Sequence, residues 1–157
     1  MILFIDACVR KDSRTKRLAE AFLKRLDGEI CRLKLEEHTF PLLDGTLLEK
    51  RDALIEAAAY DNEMFDFARQ FAAADEIVIA APYWDYSFPA VLKQYIEHIN
   101  VVGITFEYTP EGIPKGLCRA GRLTYITTAG GTGRPMYTVS VISRHLRRII
   151  TESAMSG

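Results

Sequence analysis

Five consecutive apolar residues, Ile77-Val78-Ile79-Ala80-Ala81, form the strongest strand signal in the chain, and Pro82 ends them. An apolar run without helical spacing is typical of a strand buried on both faces, as in a parallel sheet. Residues 2–8 have the same character at the start of the chain, and residues 123–128, rich in β-branched residues, are predicted as a fourth strand near the other end. These runs predict strands of one buried sheet.

Helical patterns separate the strands. Residues 18–26 carry apolar side chains at three- and four-residue spacing, and residues 30–35 then alternate like a further strand. More helices are predicted at 46–58, 61–73 and 89–99. Alternating strands and helices indicate βαβ units with right-handed crossovers, which place helices on both faces of the sheet. We therefore predict one doubly wound α/β domain over residues 1–157.

The composition excludes several classes of protein. Hydrophobic residues make up 48% of the 157 residues and charged residues 26%, which argues against disorder. The formal net charge of -1 predicts no attraction of the whole molecule to nucleic acid or membrane. Three widely spaced cysteines offer no metal-ligand pattern, so no metal is expected. No apolar run approaches the roughly 20 residues needed to span a bilayer and no leader-like start is visible, so a cytoplasmic location is expected.

The first strand-to-helix loop, residues 8–15, carries hydroxyl and basic side chains. Helix N-termini leave backbone N–H groups unpaired and carry partial positive charge, which suits a phosphate. Ser13 and Thr15 would add hydroxyl donors there. A second interpretation stays open, because Asp12 or Ser13 also suits a simple helix cap. The loop lacks the GxGxxG of dinucleotide sites, so a phosphate held here suggests a mononucleotide.

Two further loops follow predicted strands. Residues 82–88 contain four aromatics, which are costly to leave in water and which a flat heteroaromatic ligand would cover by stacking. Packing against a helix or a partner subunit is the other interpretation. Gly130-Gly131 would let backbone N–H groups approach a ligand, although a plain turn explains it equally. Because ligands bind beyond the carboxyl ends of parallel strands, we expect the three loops at one site.

Five groups of residues in chain order carry a family resemblance. They are Ser13-Arg14-Thr15, Ala80-Ala81-Pro82-Tyr83-Trp84, Leu92-Lys93-Gln94-Tyr95, Gly103-Ile104-Thr105-Phe106 with Tyr108-Thr109, and Thr128-Ala129-Gly130-Gly131. In combination they resemble the flavodoxin-like NAD(P)H-dependent oxidoreductases, the group of FMN-dependent quinone reductases and azoreductases. The resemblance covers residues 1–131 and implies a flavodoxin-like fold.

The resemblance also implies an FMN site. The residues that would hold the FMN phosphate are Ser13, Arg14 and Thr15. Those that would line the isoalloxazine ring are Pro82, Tyr83, Trp84, Asp85 and Tyr86. Those that would close its pyrimidine side are Thr128, Ala129, Gly130 and Gly131. The family is typically homodimeric, and Phe106 and Tyr108 would help form the substrate pocket, across the interface.

The implied activity is hydride transfer from NADH or NADPH through FMN to a quinone, an azo compound or a similar small acceptor. The flavin performs the chemistry, so no catalytic residue is predicted. The alternative is a flavodoxin-like electron carrier or redox-sensing module that binds FMN without substrate turnover. One departure concerns Asp85, where family members commonly carry an amide. An ionised carboxylate there would disfavour the anionic reduced flavin and lower its potential.

The last part of the chain departs further from the family. After residue 131 the resemblance implies a helix, a fifth strand and a final helix, and the sequence offers no evident fifth strand. Residues 138–151 have the spacing of an amphipathic helix, and residues 134–157 hold four Arg and one Glu. We expect four strands, with the fifth strand and last helix missing or replaced by a basic helical tail over residues 134–157.

Overall fold

The computed structural model describes residues 1–129 and 137–143. Within them the elements follow in the order β1 (Ile2–Asp6), α1 (Arg14–Leu23), β2 (Ile30–Lys34), α2 (Gly45–Glu56), α3 (Asp66–Ala73), β3 (Glu76–Ala80), α4 (Ala90–Ile99), β4 (Phe106–Tyr108), β5 (Pro114–Gly116), β6 (Arg122–Thr128) and β7 (Tyr137–Ser143). The main sheet has the order β2-β1-β3-β6-β7. Its first four strands are parallel, which confirms the predicted sheet.

Strand β1 lies inside the sheet, between β2 and β3. Phe4 pairs with Arg32 on one side and with Val78 on the other, and all five residues of β1 are buried. The chain leaves β1 toward β2 but continues from β3 toward β6 on the opposite side. The order therefore reverses between β1 and β3, which creates a crevice beyond their carboxyl ends.

Helices cover both faces of the sheet. On one face α1 contributes Ala19 and Leu23 to a cluster with Phe4, Val78 and Ile126. On the other face α3 and α4 bury a larger cluster, in which the side chain of Tyr95 is fully enclosed. Two buried faces explain why β1 and β3 are almost entirely apolar rather than alternating.

The connection between α4 and β6 contains a hairpin that the sequence did not predict. Strands β4 and β5 pair antiparallel, with Glu107 opposite Lys115. Gly103 starts this excursion with a φ of +87°, and its N–H donates to the carbonyl of Phe106 at 2.8 Å. A side chain at residue 103 would meet Tyr60, so both the backbone angle and the close approach require glycine.

The tail prediction needs a correction. Residues 137–143 form β7, which pairs antiparallel with β6 so that Leu123 lies opposite Ile142. The helix predicted over 138–151 is therefore wrong for 138–143, and residues 144–151 lie outside the described residues. The sequence of β7, Tyr-Thr-Val-Ser-Val-Ile-Ser, also alternates between apolar and polar residues and is rich in β-branched residues. Pairing with the open edge of β6 favours the strand over the competing helical spacing.

Candidate functional site

A cleft of about 560 Å³ opens where β1, β3 and β6 end. It lies at the point where the strand order reverses, and its size is that of a site for a small organic ligand. Eight of the predicted site residues line it: Ser13, Arg14, Thr15, Pro82, Tyr83, Trp84, Asp85 and Thr128. The structure thus brings the first two predicted loops together with Thr128, the last residue of β6, around one space.

A buried carboxylate anchors the first loop from below. Asp6 is only 4% exposed, and its Oδ1 accepts a hydrogen bond from the backbone N–H of Cys8 at 2.9 Å. Its Oδ2 forms an ion pair with Lys16 Nζ at 2.8 Å. A buried charge is costly unless it is paired and hydrogen-bonded, and Asp6 is both. These contacts tie the end of β1 to the first turn of α1.

The start of α1 is capped by Ser13. The Ser13 Oγ accepts from the backbone N–H of Lys16 at 3.2 Å, so the cap interpretation is confirmed for Ser13 and not for Asp12. The cap does not exclude a phosphate, because Arg14 and Thr15 have no carbonyl four residues earlier in the helix to bond their N–H groups. Ser13, Arg14 and Thr15 all face the cleft wall.

Polar contacts join the first loop to the third. The hydroxyls of Thr15 and Thr128 are 2.7 Å apart and both residues are buried. Arg14 Nη2 also donates to the carbonyl of Ala129 at 3.3 Å. These contacts fix the start of α1 against the end of β6, so the hydroxyl-bearing wall of the cleft is held from two sides.

The aromatic loop contains a tight turn. Trp84 and Ser87 exchange two backbone hydrogen bonds, at 2.9 and 2.7 Å. The two residues between them, Asp85 and Tyr86, have φ values of 48° and 63°. Positive φ at both central positions defines a type I′ turn, which strongly favours Asn-Gly. Asp tolerates this conformation, whereas Tyr86 adopts it against the preference of a bulky side chain.

The aromatic side chains of this loop are open to solvent. Tyr86 is 94% exposed and meets Tyr83 edge to face, with ring centroids 6.5 Å apart. The guanidinium of Arg10 lies over the Trp84 ring, 5.7 Å from its centroid. The N–H of Tyr83 donates to the carbonyl of Thr128 at 3.2 Å, which fastens the loop to β6. The cleft therefore has the exposed ring of Tyr83 and the half-buried ring of Trp84 on one wall, and hydroxyls on the other.

Cys8 lines the cleft without the character of a nucleophile. Burial raises the pKa of its thiol to about 12, an effect that the Ser13 hydroxyl only partly opposes. Its Sγ contacts the carbonyl of Ala80 at 3.6 Å. A thiol that stays protonated at neutral pH is unreactive, so Cys8 is a packing residue of the first loop.

Comparison with known proteins assigns the family. The sequence model of the flavodoxin-like fold family (Flavodoxin_2) matches residues 1–151. This chain belongs to that family. The match extends past residue 131, where the resemblance in the sequence stopped, and so includes part of the basic tail of this flavodoxin-like chain.

Named relatives and solved structures agree with the assignment. An FMN-dependent NADH:quinone oxidoreductase of Clostridium perfringens is 35% identical over 156 residues, which cover 95% of this chain and 78% of the relative. An azoreductase structure from Bacillus anthracis superposes with a TM-score of 0.73 at 27% identity, over 83% of this chain and 69% of that one. The structure of an FMN-dependent NADH-azoreductase from the same species, in complex with FMN, superposes with a TM-score of 0.67 at 26% identity. The match covers 83% of this chain and 69% of that one.

Some predicted site residues of this flavodoxin-like chain lie away from the cleft. Phe106 and Tyr108 sit on β4 and stack edge to face with centroids 5.6 Å apart, and neither lines the cleft. Tyr86 does not line the cleft, but its ring contacts Tyr83, which does. Ala129 contributes its carbonyl to Arg14. Gly130 and Gly131 lie outside the described residues.

Other residues of the site were not among the predicted cofactor-binding residues, although Asp12 was considered as a helix cap and Arg10 and Lys16 as positive charge of the first loop. Asp6 and Lys16 brace the first loop, and Val9, Arg10 and Asp12 line the cleft. An acidic residue at the end of an otherwise apolar strand was a visible signal for Asp6. The pairing of Asp6 with Lys16, ten residues further along the chain, could not be predicted without knowing the path of the loop between them. The position of Arg10 over Trp84 joins two distant loops and left no local signal.

Proposed function

We propose that this protein is an FMN-dependent oxidoreductase that passes a hydride from NADH to a quinone, an azo compound or a similar small acceptor. The observation that carries the proposal is the cleft, in which a hydroxyl-bearing helix start faces an exposed aromatic loop. The names of the relatives support the same activity: an NADH:quinone oxidoreductase and azoreductases, all flavin-dependent where their names specify a cofactor. NADH is the donor where those names give one, so we prefer it to NADPH.

The cleft fits a flavin mononucleotide in its donor set. A phosphate needs several hydrogen-bond donors and positive charge, which the N-terminus of α1, Thr15 and Arg14 provide. The isoalloxazine ring needs flat apolar surface, which Trp84 and Tyr83 provide. Ser13 and Thr128 complete the two ends of the same wall.

Bound FMN would supply the hydride chemistry between the nicotinamide and the acceptor. The residues of this chain bind and orient it. Arg14 and Thr15 would anchor the phosphate, Trp84 would stack on the ring, and the braced first loop would hold the phosphate end. An ionised Asp85 would add negative charge beside the ring and would favour an oxidised or neutral flavin over an anionic one.

The assembly and location complete the proposal. We infer a homodimer, the typical assembly of the family that the sequence resembles, in which Phe106 and Tyr108 of β4 would reach the cleft of the partner. The expected location is the cytoplasm, where NADH is available. The proposed mechanism requires no metal ion and no catalytic acid or base, because the flavin would perform the hydride transfer.

The decisive experiment is a flavin titration followed by a turnover assay. The protein freed of flavin should quench FMN fluorescence at stoichiometric ratio and bind riboflavin, which lacks the phosphate, at least tenfold more weakly. NADH oxidation should then depend on FMN and on added 2-methyl-1,4-naphthoquinone. Failure to bind FMN at saturation would defeat the proposal. Tight FMN binding without NADH oxidation would leave the electron-carrier alternative instead.

A further inference from the structure

Helix α1 and the residues that flank it carry a concentration of positive charge, of which Arg10 and Arg14 line the cleft and the others do not. Residues 10–25 hold seven Lys or Arg and two Asp or Glu, a net charge of +5, whereas the rest of the chain holds 13 and 19, a net charge of −6. The outer surface of α1 forms an open groove of about 580 Å³. Four exposed cations line this basic face: Lys11, Arg17, Lys24 and Arg25.

Neighbouring acids do not neutralise the basic face. Glu20 also lines the groove, but Arg32 holds its carboxylate through two hydrogen bonds, at 2.6 and 2.9 Å. The carboxylate of Asp6 is taken by Lys16. Among the residues that the structure describes, no carboxylate forms an ion pair with the four exposed cations of the face. Their charge is therefore available to an anionic partner.

The chemistry of the groove discriminates among anionic partners. Protein interfaces are rich in aromatic residues and poor in Lys, whereas Ala21 is the one apolar residue among the described residues that line this groove. Single-stranded nucleic acid needs aromatic side chains for stacking, and the described lining has none. A lipid surface makes no demand on shape, because it needs only several cations within a Debye length of its headgroups.

We propose that the basic face of α1 docks this protein on an anionic phospholipid bilayer. The described residues contain no helix that is long and apolar enough to cross a membrane, so this attachment is electrostatic and at the surface. The overall charge of -1 does not oppose it, because the positive charge is concentrated in residues 10–25, which contain α1 and the residues that flank it. Its use rests on the proposed function: quinones are apolar and dissolve in bilayers, and docking would hold the cleft beside them.

Vesicle flotation of the full, FMN-loaded chain tests the proposal. One set of vesicles is phosphatidylcholine and the other an equimolar mixture of phosphatidylcholine and phosphatidylglycerol. The double variant Arg17→Gln/Lys24→Gln should partition about 30-fold less onto anionic vesicles, since each cation near such a surface contributes about fivefold. Gln keeps the helix propensity of these exposed positions. The matched control Lys50→Gln/Lys115→Gln removes the same charge away from α1 and should partition like the parent.

Binding to anionic vesicles only, weakened by salt and by the α1 double variant but not by the control, supports the proposal. The proposal is overturned if the protein binds both vesicle types equally or does not bind anionic vesicles. It is also overturned if both double variants lose vesicle binding to the same extent. The proposal is also overturned if a labelled DNA duplex binds the protein, the Arg17→Gln/Lys24→Gln variant loses that binding, and anionic vesicles do not bind. NADH oxidation with a water-soluble quinone separates the membrane docking from the proposed activity. If the protein oxidises NADH but does not bind anionic vesicles, only the docking proposal fails. If it binds anionic vesicles but does not bind FMN, only the proposed activity fails.

Discussion

The two loops that face each other across the cleft are built in opposite ways. The first loop, which follows β1, is held from beneath by buried polar contacts: Asp6 pairs with Lys16 and binds the backbone of Cys8. The second loop, which follows β3, turns back on itself and leaves Tyr86 94% exposed. The first wall is therefore formed before a ligand arrives, and the second gains most of its burial from the ligand itself.

Thr15→Val should show the largest effect and test the braced wall. It removes a hydroxyl proposed to bind phosphate and leaves the buried Thr128 hydroxyl without its partner. We expect FMN affinity to fall about 10- to 100-fold and the free energy of unfolding to fall by about 1–3 kcal/mol. Fluorescence titration and urea unfolding measure the two quantities.

Riboflavin and a second variant supply the controls for Thr15→Val. Riboflavin has no phosphate, so its affinity should change much less than that of FMN. Thr39→Val makes the same substitution at an exposed position and should change neither quantity. An equal loss of FMN and riboflavin affinity would show that Thr15 supports the fold of the cleft rather than the phosphate.

Trp84→Leu tests the aromatic wall. Unlike Thr15→Val, it should weaken the binding of FMN and of riboflavin equally and leave the free energy of unfolding almost unchanged. The ring stacks on FMN and on riboflavin alike, so both affinities should fall by about tenfold. Trp84 is half-buried and its contact with Arg10 is worth about 1 kcal/mol or less, so unfolding should change little. A loss confined to FMN would contradict the assignment of this loop to the ring.

The parts of this contrast that sequence could predict are those encoded locally. Unbroken apolar runs placed β1 and β3 in a buried parallel sheet, and the rule that ligands lie beyond strand ends then brought the three loops together. The identity of the loops followed because aromatic and hydroxyl residues stood directly after predicted strands. These inferences need only a short window of sequence.

The parts that sequence could not predict depend on partners or on competing periodicities. Pairing of Asp6 with Lys16 requires the path of the intervening loop. Residues 137–143 fit both a helical and an alternating pattern, and only the free edge of β6 decides for β7. The hairpin of β4 and β5 has strands of three residues, too short for a periodic signal.

A change of pH tests the burial within the first loop. The unfolded chain loses the Cys8 proton above its ordinary pKa of 9.0, whereas the folded chain keeps it up to about 12. The proton is therefore bound more tightly by the folded state, and this contribution is lost as pH rises from 9 to 12. Relative to Cys8→Ala, the parent should lose about 1.4 kcal/mol of unfolding free energy between pH 8 and pH 10. A constant difference across that range would show that the thiol is accessible to solvent.

Tyr86→Gly should give the smallest effect, and its sign is opposite to the others. Tyr86 adopts a φ of 63° in the second central position of a type I′ turn, where glycine is unstrained. In the flavin-free protein we expect the variant to be more stable by about 0.5–1 kcal/mol in urea unfolding, because relief of strain outweighs the loss of an exposed ring. Ser87→Gly is the control: residue 87 has no positive φ, so glycine there should destabilise. If Tyr86→Gly is instead destabilising, the Tyr83–Tyr86 ring contact stabilises the loop, and the aromatic wall is braced like the first one before any ligand binds.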